Sequence, residues 1–430
     1  MRTARTRQRV SSARCWTLSD KGRPGGSLST FAVPAFQLDP QRLPPPITTS
    51  EPGSFAQRTF QVRIPHIVEE TIALNPFPDS VRSALEALRA EILGGHIRAL
   101  HEAAPDKAFW DQVSRPYLGH TWLDVPWYWA ETFFYRRLLE ATHYFQPGDW
   151  HHFDPFAAKK QTEWAPEAAP RSLNTVLEEL PSEPGERFEK LFYTSLWGNR
   201  TDLSHKLLAQ VSGLARLEHR HANLLADDSQ PVREYLVNQP GRRLVMITDN
   251  AGTELLMDLA LADLLLDQGL AAQLMMHLKP QPLFVSDATP DDVVRGLQAL
   301  TSGGEMARAL AERLRLHLAT GRLQLRTHWF YATSLFYFQL PDDLVMELRD
   351  ADLVILKGDV NYRRLLGDAR WPPSTPFAQA VAYFPTPLVA LRTLKAELIV
   401  GLSPGEAEDW QAQDPEWLVN GRYGVIQARL

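Results

Sequence analysis

Arg243-Leu244-Val245-Met246-Ile247-Thr248-Asp249-Asn250-Ala251-Gly252-Thr253-Glu254 is the stretch that decides the fold. The apolar run at 243–248 is short, unbroken and free of helical spacing, as in a strand covered on both faces. Polar residues end it, Gly252 permits a tight turn, and a long apolar helix follows to about Asp267. Working outward, strands are expected at 271–277, 321–327, 351–356, 388–391 and 397–400, with helices at 291–300 and 344–349. Strands alternating with helices predict an α/β fold with a largely parallel sheet. Ligands of such sheets bind beyond the carboxyl ends of the strands, beside a topological switch point.

Upstream the period is helical. Val81, Leu85, Leu88 and Ile92 recur at spacings of four and three, with Asp79 or Ser80 as N-cap. The run from Trp127 to Phe145 carries an aromatic stripe that reads as a core-facing helix. His151 and His152 follow; adjacent histidines point apart and make a poor metal pair. Three parts are therefore expected: a tail or extended strap over 1–55, a mainly helical domain over 56–240, and an α/β/α domain over 241–430. The first contains five early arginines and the Pro44-Pro45-Pro46 run, which leave it little to bury.

The 430 residues carry 45 Lys+Arg against 51 Asp+Glu, a net charge of −6, which gives no electrostatic footprint for nucleic acid or an anionic membrane. The most apolar segment, 255–278, is interrupted by Asp258, Asp263 and Asp267 and reads as buried rather than membrane-spanning. The lone Cys15 excludes an internal disulfide and a cysteine-based zinc site, and a cytoplasmic location is expected. Walker-type, His-Glu-x-x-His and basic aromatic patterns are absent from the sequence.

Polar clusters sit where the strands end. Asp249 and Asn250 offer hard oxygen donors suited to Mg²⁺ or Mn²⁺, although both also fit as caps of the next helix. Ser286-Asp287 follows the next strand; if both loops share one sheet edge, Asp287 meets Asp249 and Asn250 around one ion. In Lys357-Gly358-Asp359-Val360-Asn361-Tyr362-Arg363, Lys357 and Arg363 are cations for an oxyanion, and Asp359 and Asn361 suit sugar hydroxyls. Arg392-Thr393-Leu394-Lys395 ends another strand, with Lys395 as a phosphate or carboxylate clamp. Asn199 and Asp202, in Gly198-Asn199-Arg200-Thr201-Asp202-Leu203-Ser204, either cap a helix or reach into the cleft.

Together, Asp-Asn-Ala-Gly-Thr-Glu at 249–254, Asp287, Lys-Gly-Asp-Val-Asn-Tyr-Arg at 357–363, Arg-Thr-Leu-Lys at 392–395, Gly-Asn-x-x-Asp-x-Ser at 198–204 and Tyr135-Arg136-Arg137 resemble the damage-control phosphatases. The resemblance is to their acidic-residue-methyltransferase-like branch and runs from about residue 60 onward. It implies a helical N-terminal part packed on a three-layer α/β/α domain, with one divalent metal (Mn²⁺, Co²⁺, Ni²⁺ or Mg²⁺) at the sheet edge. By the same resemblance Asp249, Asn250 and Asp287 would hold the metal, with Asp249 and Asn250 catalytic. Glu254, Asp359, Val360, Asn361, Tyr362, Arg363 and Lys395 would contact substrate. The implied partner is a small phosphorylated metabolite, including sugar phosphates such as fructose 1-phosphate and fructose 6-phosphate.

Phosphoryl transfer needs positioning and neutralisation of an anion more than covalent chemistry, so this donor set suits it. Spacing leaves open whether Asp249 attacks phosphorus itself; water activated at the metal is the preferred reading. Three alternatives remain. A haloacid-dehalogenase-type phosphatase wants a second acid two residues on, where Ala251 stands. An S-adenosylmethionine-dependent carboxyl methyltransferase wants a Gly-rich turn, where only Gly252 is present. A non-catalytic sugar-phosphate binder has no need of the metal set.

Overall fold

The computed structural model describes residues 43–163, 168–198, 223–239 and 241–430. Its centre is a seven-stranded sheet in the order β1-β7-β6-β5-β2-β3-β4. The strands are β1 (Leu224–Asp227), β2 (Arg242–Ile247), β3 (Ala271–Leu278), β4 (Leu323–Thr327), β5 (Leu353–Lys357), β6 (Leu388–Thr393) and β7 (Gly424–Arg429). All neighbours run parallel except β6 and β7. From β2 the chain steps outward to β3 and β4, then returns to build β5 and β6 on the other side. The switch point therefore lies between β2 and β5, where Ile247 stands beside Leu356.

Strand pleating divides the core into two layers. Leu244 and Met246 of β2 join one apolar cluster with Leu274, Met276, Leu353 and Ile355. Val245 and Ile247 join the other, with Val354, Leu356, Leu388 and Ala390. On the first face lies the helix Thr253–Asp267, apolar on every side and buried along nearly its whole length. Its three buried acids are each matched: Glu254 and Asp258 by Lys357, and Asp263 by Arg313 at 2.7 Å. The helices Ala168–Glu178 and Pro184–Trp197 share that face. On the second face lie Asp79–Gly94, with Val81, Leu85, Leu88 and Ile92 inward as their spacing predicts, and the aromatic helix Trp127–Ala141. The N-terminal helical part thus covers both faces of the sheet.

The fold class is α/β, as the sequence predicts, with two differences in detail. Residues 397–400 form an irregular stretch, because the carbonyls of Ala396 and Leu398 are taken by the Arg392 guanidinium rather than by a neighbouring strand. The strand expected there is supplied by β7, and β1, from residues read as helical, pairs with it. Residues 43–50 form an extended strap: Ile47 is fully buried, its N–H donates to Asp368 O at 2.8 Å, and its carbonyl accepts from Trp127 N at 2.9 Å. Among the described residues no helix is long and apolar enough to cross a membrane.

Candidate active site

Four adjacent strands deliver the site. Asp249 and Asn250 leave β2, Asp287 lies in the loop after β3, Gly358 and Asp359 leave β5, and Lys395 follows β6. The forty-residue gap between the first two clusters is closed by backbone pairing. Ala251 N donates to Ser286 O at 2.6 Å and Ala288 N to Asp249 O at 2.8 Å, so Asn250 and Asp287 face each other in an antiparallel bridge. Gly252 begins the next helix at φ 74°, a left-handed conformation that any side chain resists. Gly358 also has positive φ, and a Cβ there would overlap the Asp249 carboxylate. The two glycines let the loops of the switch point close on one another.

The polar groups are buried and tightly oriented. Asn250 Nδ2 donates to Asp249 Oδ2 at 2.8 Å and to Glu254 Oε2 at 2.9 Å, while its Oδ1 accepts from Ser286 Oγ at 2.5 Å. Asp249 Oδ1 and Asp287 Oδ1 accept no hydrogen bond. Asp287 Oδ2 has the Lys279 ammonium at 3.4 Å. Burial, reinforced by Glu254 and Asp287, holds the Asp249 carboxyl well above the usual range; Lys279 and Lys395 oppose the rise. Burial also raises Asp287, against Lys279, Lys160 and Arg364.

Carboxylate oxygens left without partners in a buried site call for a cation. Among the described residues no three His, Cys, Asp or Glu side chains form a ready-made cage. The donor set is instead two carboxylates and an amide, hard oxygens that fit a divalent ion completing its shell with water or substrate. Asp249, Asn250 and Asp287 would hold it.

The other residues singled out in the sequence fall into two groups. Glu254 lies against Asn250, and Lys395 acts on Asp249 from the β6 side with no partner for its ammonium among the described residues. Asp359 Oδ1 accepts from Arg392 Nε at 2.7 Å and from Lys395 N at 3.1 Å, so it fixes the backbone of the Lys395 loop. Asn361 Nδ2 donates to the carbonyls of Thr248 and Lys357, and its Oδ1 accepts from Tyr337 OH, which locks the β2 and β5 loops together. Tyr362 OH donates to Gln427 at 2.7 Å, and Val360 is partly buried.

Arg363 lies 3.6 Å over the Trp127 ring, matched by Glu131 at 2.7 Å and Asp368 at 2.8 Å. Lys357 is fully buried between Asp258 at 3.0 Å and Glu254 at 3.3 Å. Both cations read from sequence as oxyanion groups are thus paired inside the protein. Asn199 and Asp202 lie outside the described residues. Sequence reasoning passed over Lys279, although a cation directly after β3 is the same signal that marked Lys357 and Lys395.

The profile of the Damage-control phosphatase ARMT1-like domain matches residues 59–410. Damage-control phosphatase ARMT1 of Danio rerio is 33% identical, covering 90% of this chain and 97% of that protein. The Homo sapiens protein of the same name is 31% identical, covering 90% and 98%. A DUF89 family protein from Pyrococcus horikoshii matches the fold with a TM-score of 0.50 at 14% identity, over 86% of this chain and 96% of that one. By its family match the chain is a phosphatase. The chain belongs to the ARMT1-like damage-control phosphatases, a metal-dependent family.

Proposed function

We propose that this protein is a metal-dependent phosphomonoesterase of small phosphorylated metabolites, with sugar phosphates such as fructose 1-phosphate or fructose 6-phosphate as substrates. The observation that carries the reading is the pair of buried carboxylates, Asp249 and Asp287, each with an oxygen that accepts no hydrogen bond, with Lys395 close enough to act on Asp249 and no partner for its ammonium among the described residues. Asp249, Asn250 and Asp287 hold one divalent ion (Mn²⁺, Co²⁺, Ni²⁺ or Mg²⁺). When bound, the ion neutralises and polarises the phosphoryl group.

This chain's own side chains do the rest. Glu254 fixes the Asn250 amide, Asp359 holds the Lys395 loop, and Lys395 receives the phosphoryl oxygens. The Asn361–Arg363 segment shapes the cleft wall beneath the sugar. Water supplies the oxygen that joins phosphorus, the ester P–O bond breaks, and the departing alkoxide takes a proton to become the sugar alcohol. No nucleic acid or membrane is involved, and the single cysteine suits a reducing cytoplasm.

The test is phosphate release from a panel of sugar phosphates, using metal-stripped protein and then protein with each ion restored. Release only with metal, lost in Asp287→Ala, is expected. No release with any ion would overturn the reading, and methyl transfer from S-adenosylmethionine would replace it. Lys395→Ala is expected to raise KM by about 10- to 100-fold, the worth of a charge-assisted contact, with a smaller change in kcat. Unchanged kinetics would return Lys395 to the solvent.

A further inference from the structure

The Asp287 loop is held from outside the α/β layers. Phe284 and Val285, just before it, have φ of 47° and 68°, left-handed values that non-glycine residues adopt only when their surroundings enforce them. The enforcement comes from the N-terminal helical part. The Phe284 ring packs 5.0 Å from Tyr135 of the aromatic helix, and Tyr135 packs on Phe156. One helical turn on, in Ala157–Glu163, Lys160 has a fully buried ammonium. That ammonium lies 2.9 Å from the Asp287 carbonyl oxygen, 2.9 Å from Asp292 Oδ2 and 3.1 Å from Asp154 Oδ2.

Asp292 in turn accepts from Thr289 N and Thr289 Oγ1 in a capping box. A single cation therefore grips both ends of the 287–292 segment. The Asp287 carboxylate has almost nothing of its own to aim it, since Oδ1 has no partner and Oδ2 only Lys279 at 3.4 Å. Its direction is inherited from the backbone, which the bridge to Asn250 holds on one side and Lys160 on the other.

We propose that Lys160 is a positioning residue for Asp287, so that a side chain of the helical part sets the affinity of the metal site in the α/β layers. The inference rests on the metal reading above. Groups that orient a metal ligand from behind typically change metal affinity by about 10- to 100-fold when removed. A cation serving only the buried ion pairs would change stability and leave affinity alone.

The experiment titrates Mn²⁺ into the full-length protein, with free Mn²⁺ followed by electron paramagnetic resonance and unfolding of the metal-free protein measured in parallel. Lys160→Met is expected to weaken Mn²⁺ binding by about 10- to 100-fold, with turnover largely recovered at saturating Mn²⁺. Lys160→Arg keeps the charge beside Asp154 and Asp292 but moves the donor away from the Asp287 carbonyl, and is expected to weaken binding several-fold. Asp154→Asn removes one ion-pair partner without touching the Asp287 loop, and should lower stability with Mn²⁺ affinity within about twofold of wild type.

Affinity within about twofold of wild type in folded Lys160→Met overturns the proposal, as does equal weakening in Asp154→Asn. If Lys160→Met does not fold, wild-type affinity in Lys160→Arg overturns it instead. A wild-type protein that binds no Mn²⁺ removes the metal reading itself, and this inference with it.

Discussion

Asp249→Asn should lower metal-dependent phosphate release by about a thousandfold or more, while leaving the metal-free protein as stable as wild type or more so. The loss follows from removing a charged donor from the place where phosphoryl charge must be neutralised, worth several kcal/mol of barrier. The stability follows from the same geometry. Asp249 is buried beside Glu254 and Asp287, and its carboxyl is held well above the usual range. A carboxyl raised in the folded state disfavours folding at pH values above its unfolded pKa, where the unfolded chain ionises it freely. A neutral amide of the same shape relieves that repulsion and still fits beneath Gly358. Kinetics with saturating Mn²⁺ and thermal unfolding of the stripped protein check both halves. Turnover near wild type would remove Asp249 from the chemistry, and a large fall in metal-free stability would recast it as a structural acid.

Lys357→Met carries the second large effect, on stability. The ammonium is fully buried, donates to Ser195 O at 2.5 Å, and stands between Asp258 and Glu254. Even with Lys357 in place, burial pushes Asp258 up to about 6. Removing the cation strands two carboxylates in the core, a loss of about 3–5 kcal/mol for one partner of a buried pair. Chemical denaturation would show it as a fall in the midpoint. Adding Asp258→Asn to Lys357→Met should recover part of the loss, because the two sites share one ion pair. Wild-type stability in Lys357→Met would mean that water reaches this pocket.

Much of this was legible in the order of residues, for a physical reason. The strands beside the switch point are covered on both faces, so β2 and β5 are nearly continuous apolar runs, and each ends abruptly in polar residues that a buried strand cannot hold. The edge of the sheet was not legible. β1 is four half-buried residues, and β7 mixes Gln427 and Arg429 into a short run, so neither has the composition of a core strand. Residues 397–400 have that composition and yet form no strand, because Arg392 takes the carbonyls on which a ladder would depend.

At the site, the oxygen donors were readable from residue type, but the destination of each cation was not. Lys357, Arg363 and Lys395 look alike in sequence; only the packing of Asp258, Glu131 and Asp368 separates the two that are neutralised inside from Lys395, which has no such partner among the described residues. Lys160 had no signal for its tie to the site, since the two partners that link it to the Asp287 loop lie 127 and 132 residues away.

The strap has a consequence for how the molecule is made. Ile47 hydrogen-bonds to Asp368, and Pro45 O accepts from Arg370 N. These bonds cannot form during synthesis until the chain has been translated past Arg370, when β2 to β5 already exist to pair. Closure of the strap on the 368–370 segment is a late event, closing a loop of more than three hundred residues, and such long-range closure is what slows folding. Asp368 also carries the Arg363 ion pair, and Arg363 stacks on Trp127. The newborn chain thus seals the wall beside this cleft with residues made long before the partners that receive them.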